Sequence, residues 1–335
     1  MTFKTPSFWY RDSASNTPLI ERALGPFSKI YQLLYKFDQS MHTSYKASIP
    51  VICIGNLVAG GTGKTPTAIA MLQLIESNAL AKKPFFLIRG YGGAESGPLL
   101  VDLDVHTAWD VGDEALILAK YAPTVVGGNR AAGAQTAMEE GADLIVMDDG
   151  LQNTGIDKDL RLVVINGEMG LGNQKLMPAG PLRQTLEDGY DHAHGFILIG
   201  EDEHDVAKIL PQDKPLLRAH LQPKTELSID KDATYLAFAG LGYPEKFFNF
   251  LRGALQLNVA KTIAFSDHHP YDEDDLNELD TKAKALGAKL ITTEKDFMRL
   301  PQIKGIHVET LPVEMVWDST DDLLPLIQDA MHAKA

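Results

Sequence analysis

Residues 51–75 read VICIGNLVAGGTGKTPTAIAMLQLI, and how this stretch is parsed decides the fold. Val51–Ile54 is an apolar run too short for a helix and is stopped by Gly55-Asn56, the pattern of a buried strand. A glycine turn follows, Gly60-Gly61-Thr62-Gly63, and then Lys64-Thr65. Pro66 suits the first turn of a helix, where a missing N–H costs nothing. Ala68, Ile69, Leu72 and Ile75 then recur at helical spacing.

Strand, glycine turn, Lys-Thr and helix together cradle phosphates. Backbone N–H groups and the positive helix end face the anion, a lysine reaches the outer phosphates, and a threonine hydroxyl can hold Mg²⁺. Gly60, Gly61, Thr62, Gly63, Lys64 and Thr65 are therefore candidate contacts of a nucleoside triphosphate. The usual spacing places glycine at position 58, where this chain has Val58. Gly60 and Gly61 still allow the backbone to wrap closely.

Working outward, strands and helices alternate. Pro84–Ile88, Thr124–Val126, Leu144–Met147, Leu162–Ile165 and Phe196–Ile199 read as strands between helical stretches. That alternation predicts an α/β fold with a mainly parallel sheet, helices on both faces and ligands at the strands' C-terminal ends. Arg89-Gly90-Tyr91-Gly92-Gly93 closes the second strand and reads either as a substrate or phosphate contact or as a glycine turn with a surface arginine. Asp113-Glu114 opens a helix, a placement that dipole pairing alone explains. Asp148-Asp149-Gly150 ends a buried strand, where such proteins hold Mg²⁺. The loop Pro178–Arg183 is stiff and can border the cleft.

Composition shifts near Pro211–Pro215. Leu216–Leu221 reads as a strand leaving the first unit, and a second unit contains strands Tyr235–Phe238, Thr262–Phe265 and Lys289–Thr292. The expected layout is an amphipathic segment at 1–40 and a nucleotide-binding core at 41–212, rejoined by 320–335. Linker strands at 213–223 and 307–319 lead to a second α/β domain at 224–306. In the second unit Ser266–Asp272 carries His268-His269, a candidate for proton transfer or a plain surface loop. Adjacent histidines point apart and lack a second ligand pair, which sets zinc aside.

The chain's 335 residues carry a net charge of −14 and one cysteine, Cys53. That balance argues against nucleic acid as a partner and against a disulfide framework. Residues 1–50 nevertheless hold six Lys/Arg and three Asp/Glu, against 25 and 42 in the remainder. From Leu19 to Phe37 apolar residues follow a helical stripe flanked by Arg22, Lys29 and Lys36, and Gly25-Pro26 is expected to kink or split it. Such a segment either lies in a membrane surface or packs on its own domain.

Several stretches taken in order resemble the tetraacyldisaccharide 4′-kinase (lipid A 4′-kinase) family of Gram-negative bacteria. They are Gly55-Asn56 with GGTGKTP, Arg89–Gly93, Gly112-Asp113-Glu114, Asp148-Asp149-Gly150-Leu151-Gln152, Pro178–Arg183, Asp267–Tyr271 and Thr292–Asp296. The aromatic Phe8-Trp9 and basic helix are also similar to that family's membrane-contacting start. The resemblance implies ATP-dependent phosphorylation of the 4′-hydroxyl of an acylated glucosamine disaccharide 1-phosphate. It implies Mg²⁺ as cofactor, lipid IVA as product and a peripheral location on the cytoplasmic face of the inner membrane. It implies Asp113 as base with His268 as its partner, and Thr65 and Asp148 as metal ligands, with Asp149, Gln152 and Glu114 behind them. Arg89, Tyr91, Asn153 and Arg183 would meet the substrate. Asn153 and Gln184 stand where the family usually has histidine and glutamate, both expected beside the lipid headgroup. Rival readings are a dimer-switched membrane ATPase, whose signature lysine is replaced by Ala59, and a soluble small-molecule kinase. The sequence sets no expectation of self-association.

Overall fold

In the computed structural model, residues 6–10, 19–41, 43–224 and 229–334 are described; Arg11, next to the aromatic cluster, lies outside them. The first nine-stranded sheet has β1 (Val51–Gly55) near its middle. The remaining early strands are β2 (Pro84–Ile88), β3 (Leu99–Leu100), β4 (Thr124–Val126), β5 (Leu144–Asp148), β6 (Leu160–Asn166), β7 (Gly195–Ile199) and β8 (Leu216–Pro223). A second sheet holds β9 (Thr234–Ala239), β10 (Asn258–Ala264), β11 (Lys289–Thr293) and β12 (Val308–Leu311). The chain then returns through β13 (Val313–Trp317).

The large sheet has the order β13-β8-β7-β6-β1-β5-β2-β4-β3 and is parallel except at β3 and β13. Every residue of β1, β2, β5 and β7 is buried. Parallel strands covered on both faces read as unbroken apolar runs, which is why they stand out in the sequence. Alternate residues serve opposite cores: Ile52 and Ile54 pack with Leu72, Ile75 and Leu323, whereas Val51 and Cys53 pack with Phe85, Ile145 and Phe196. Helix Leu323–His332 belongs to the first of these cores.

The small sheet, β10-β9-β11-β12, is wholly parallel. Helix Pro244–Gly253 covers one face with Phe247, Phe248 and Leu251, and helix Glu273–Ala285 covers the other with Leu276, Leu279 and Ala283. Two expectations change here. β10 starts at Asn258, before the apolar run that suggests it, because its side chains are half-exposed. Residues 308–311 are an edge strand of this sheet rather than linker. Leu311 is buried in the second core while Met315 is buried in the first, with Pro312 between them. Of the two returning strands, β13 is the one that pairs with β8, antiparallel, from Val313 opposite Pro223 to Trp317 opposite Ala219.

Helix α1 (Leu19–Met41) continues through Pro26, so the expected split does not occur. Pro26 and Arg22 are both exposed, so the carbonyl that proline leaves without a donor faces water. Its inward stripe is polar: Glu21 and Ser28 are buried and Tyr31 and Tyr35 half-buried. Its outward stripe is apolar, with Leu19, Phe27, Ile30, Leu33, Leu34 and Phe37 all more than half exposed. Among the described residues no helix is long and apolar enough to cross a membrane.

Candidate active site

The loop after β1 leads into α2 (Lys64–Ser77) and has positive φ at Gly60 (116°) and Gly63 (94°). The φ of Gly63 favours glycine there, and a Cβ would also press on Ile199 Cδ1 at 2.8 Å. Asn56 braces the loop, its Nδ2 donating to the Val58 carbonyl at 2.7 Å and to Thr62 Oγ1 at 3.0 Å. Val58, the departure from the usual glycine, is buried and bridges antiparallel to Leu182. Ala59 N donates to Pro181 O at 2.8 Å and Arg183 N to Leu57 O at 2.8 Å. The stiff loop 178–183 thus buttresses the glycine turn. The aromatic cluster also reaches this region, with Trp9 Nε1 donating to Pro178 O at 3.1 Å and Tyr10 Oη to Ala59 O at 3.3 Å.

At the adjacent end of β5, Thr65 Oγ1 donates to Asp148 Oδ2 at 2.8 Å. Asp148 is buried, its Oδ1 has no hydrogen-bond partner, and burial followed by the Glu114 charge pushes its pKa up to about 7. Burial opposes ionisation of Asp149 too, but Lys64 at 3.6 Å and Arg183, whose Nη1 reaches both oxygens at 2.8 and 3.1 Å, hold its carboxyl below the ordinary value. A buried carboxylate oxygen left bare beside a threonine hydroxyl suits a hard divalent cation that completes its shell with phosphate and water. Among the described residues no three His, Cys, Asp or Glu side chains form a metal cluster, so an all-protein cage is not what these residues build.

A third group assembles across the two sheets. The chain turns through α3 (Ala108–Val111) and Gly112 (φ 84°) into α4 (Asp113–Ala119), which places Asp113 in the first turn with its Oδ1 accepting from Glu114 N at 2.8 Å. Asp113 is 2 % exposed. Its Oδ2 lies 3.1 Å from Arg299 Nε and 3.3 Å from His268 Nδ1, charge contacts in which neither donor is aligned as a hydrogen bond. Burial works to raise the Asp113 pKa, but His268, Lys295 and Arg299 outweigh it and hold the carboxyl below the ordinary range. Lys295 Nζ donates to Glu114 Oε1 at 2.9 Å and lies 3.3 Å from His268 Nε2. The Tyr91 ring meets His268 edge-on at 5.4 Å. His268 and Asp149 both hold φ near +50°, a conformation that non-glycine residues keep only where their surroundings enforce it.

Asp113 and His268, 155 residues apart in sequence, are thus neighbours, and Glu114 is close enough to act on Asp148. Glu114, read as a reserve metal ligand, spends one oxygen on Lys295. Gln152 turns its Nε2 to the Asn56 carbonyl (2.8 Å) and to Gln184 Oε1 (3.1 Å). Asn153 Oδ1 accepts from Gly155 N at 3.0 Å within its own turn. Arg89 is exposed at the end of β2, and its charge acts on Arg130. Gln184, expected beside a headgroup, is 3 % exposed and accepts from Tyr35 and Gln152. Sequence reasoning missed Lys295, Arg299 and Arg130. Lys295 was visible only as one residue of the Thr292–Asp296 motif, and nothing in local spacing marks Arg299. Arg130 opens helix α5 (Arg130–Glu139) at the end of β4, 3 % exposed and with Nε unpartnered.

A family model described as Tetraacyldisaccharide-1-P 4'-kinase matches residues 20–332. The tetraacyldisaccharide 4'-kinase of Rhodospirillum centenum is 41% identical over 333 residues, covering 99% of this chain and 98% of its own. That of Paramagnetospirillum magneticum is 43% identical over 326 residues, covering 96% and 97%. Among solved structures, LpxK from Aquifex aeolicus in complex with ATP superposes with a TM-score of 0.77 at 25% identity, covering 93% of this chain and all of that one. With matches across nearly its whole length, the chain belongs to the tetraacyldisaccharide 4′-kinase family.

Proposed function

We propose that this chain transfers the terminal phosphoryl group of ATP to the 4′-hydroxyl of an acylated glucosamine disaccharide 1-phosphate, giving lipid IVA, on the inner-membrane surface. The observation that carries this reading is Asp113: a buried carboxylate kept ionised by groups from the other sheet, one residue from a side chain that acts on Asp148.

The loop at 60–65 binds the triphosphate through its backbone N–H groups, and Lys64 offsets charge on the transferring group. Thr65 and Asp148, with Asp149 beside them, are the residues that would hold Mg²⁺. The bound ion would neutralise oxygen charge on the phosphates. Asp113 accepts the acceptor hydroxyl's proton at Oδ2, which takes no aligned hydrogen bond and is buried beside His268 and Arg299, so the second sheet has to draw back to admit the hydroxyl. Such proton removal is typically worth ~10²–10⁴ in rate. A weakly basic carboxylate suffices because bond formation to the attacking oxygen lags in a loose transition state. His268 and Arg299 fix the carboxylate. Arg89, Tyr91 and Arg183 border the acceptor side.

The outward apolar stripe of α1 and its exposed Arg22, Lys29 and Lys36 match a helix lying in an anionic bilayer surface. An acceptor with acyl chains stays in the bilayer, so the enzyme must come to it. The test supplies labelled ATP with the acylated disaccharide 1-phosphate in mixed micelles. Labelled lipid that disappears in Lys64→Ala supports the reading. Hydrolysis of ATP with no labelled lipid overturns it.

A further inference from the structure

We propose that Tyr31 and Tyr35 are positioning residues that tie α1 to the phosphate loop, so that seating the helix on a lipid surface tightens the nucleotide site. This rests on the reading above, in which the loop binds ATP and α1 meets the bilayer. The two tyrosines sit one helical turn apart on the inward stripe. Tyr31 Oη donates to the carbonyl of Arg183 at 2.9 Å, and Tyr35 Oη to Oε1 of the next residue, Gln184, at 3.1 Å.

From these consecutive residues two chains run to the loop. Arg183 N donates to the Leu57 carbonyl at the loop's entry, and its guanidinium grips Asp149, which pairs with Lys64. Gln184 Oε1 also accepts from Gln152 Nε2, which donates onward to the Asn56 carbonyl. Asn56 Nδ2 in turn holds Val58 O and Thr62 Oγ1. Every link but the Lys64–Asp149 ion pair at 3.6 Å is a hydrogen bond inside a half-buried or buried seam, where water competes poorly. The helix therefore docks through directional polar contacts and leaves its apolar face outward. Those contacts set the helix's position relative to the loop. A bilayer covering the apolar face restrains the helix there.

The experiment uses the full chain and measures affinity for a fluorescent non-hydrolysable ATP analogue with Mg²⁺, with and without anionic phospholipid vesicles. Vesicle sedimentation and steady-state KM values are followed in parallel. For the wild type, vesicles should tighten analogue binding by about threefold to tenfold, the range that one or two recovered hydrogen bonds give. Tyr31→Phe with Tyr35→Phe should sediment with vesicles as before, lose that tightening, and raise KM for ATP without raising KM for the lipid acceptor. Gln184→Leu should behave likewise, whereas Gln184→Glu, which keeps an acceptor oxygen for both donors, should retain the vesicle effect. A double phenylalanine variant that keeps the vesicle effect and a wild-type KM for ATP overturns the coupling alone. A wild type that binds no analogue under either condition overturns the coupling and the kinase reading together.

Discussion

Replacing Asp148 with asparagine should make the ligand-free protein more stable, and increasingly so as pH rises. Asp148 is fully buried, and its pKa is raised from 3.8 to about 7. Because the folded value is the higher one, the fold is unpenalised below 3.8, loses stability as pH rises from there to about 7, and is flat beyond. At 1.36 kcal/mol per unit the ionised group costs the fold about 4 kcal/mol at pH 8 and roughly 1–2 kcal/mol at pH 5. Asparagine keeps an oxygen for the 2.8 Å bond from Thr65 Oγ1 and has no charge to desolvate. The variant's advantage over wild type should therefore grow by about 2–3 kcal/mol between pH 5 and pH 8. Urea unfolding at the two pH values reads this difference together with the response of Glu114, Lys64 and Asp149, whose charges act on Asp148. The same variant should gain less stability from Mg²⁺ with an ATP analogue than wild type does. An advantage that is absent, or identical at both pH values, would refute the view that Asp148 is a carboxylate waiting for a cation.

Asp113→Asn should lower kcat by ~10²–10⁴ while leaving affinity for an ATP analogue within about twofold. The fold should survive, since Arg299 keeps Asp296 Oδ1 at 2.8 Å and the carbonyls of Gly240 and His269. A kcat within tenfold of wild type would remove Asp113 as the base. Phe27→Glu with Leu34→Glu, both on the exposed stripe, should cut co-sedimentation with anionic vesicles by more than about tenfold at unchanged melting temperature. Unaltered sedimentation would mean that α1 is not the membrane contact.

The strands at 51–55, 84–88 and 144–148 were legible because burial on both faces writes itself as an unbroken apolar run. β10 was misplaced at its start because Asn258 and Lys261 are exposed strand residues with no apolar alternation to betray them. β12 and β13 ran together because the single Pro312 separates two strands that serve different cores. The stripe of α1 was visible as a period, but its orientation was not. Tertiary contacts of Glu21, Ser28, Tyr31 and Tyr35 turn the polar side inward. Glycine turn, Lys64 and the Asp148 pair sit close to one another along local motifs, so spacing pointed to them. The pairing of Asp113 with His268 has no local signature and entered through family likeness. Lys295 and Arg299, which complete that group from β11's end of the second sheet, went unread for the same reason.

The ladder between β8 and β13 carries a mechanical burden. The carboxylate at 113 and the imidazole at 268 belong to separate sheets, and the backbone spanning them runs through five paired positions. Tension or slack in those two ribbons becomes an error of tenths of an ångström where a proton must change hands. Compounds that wedge the seam would thus disturb the proton's path, and Met315 of β13, 3.8 Å from where a Cβ on Gly63 would sit, would carry the disturbance to the phosphate loop as well.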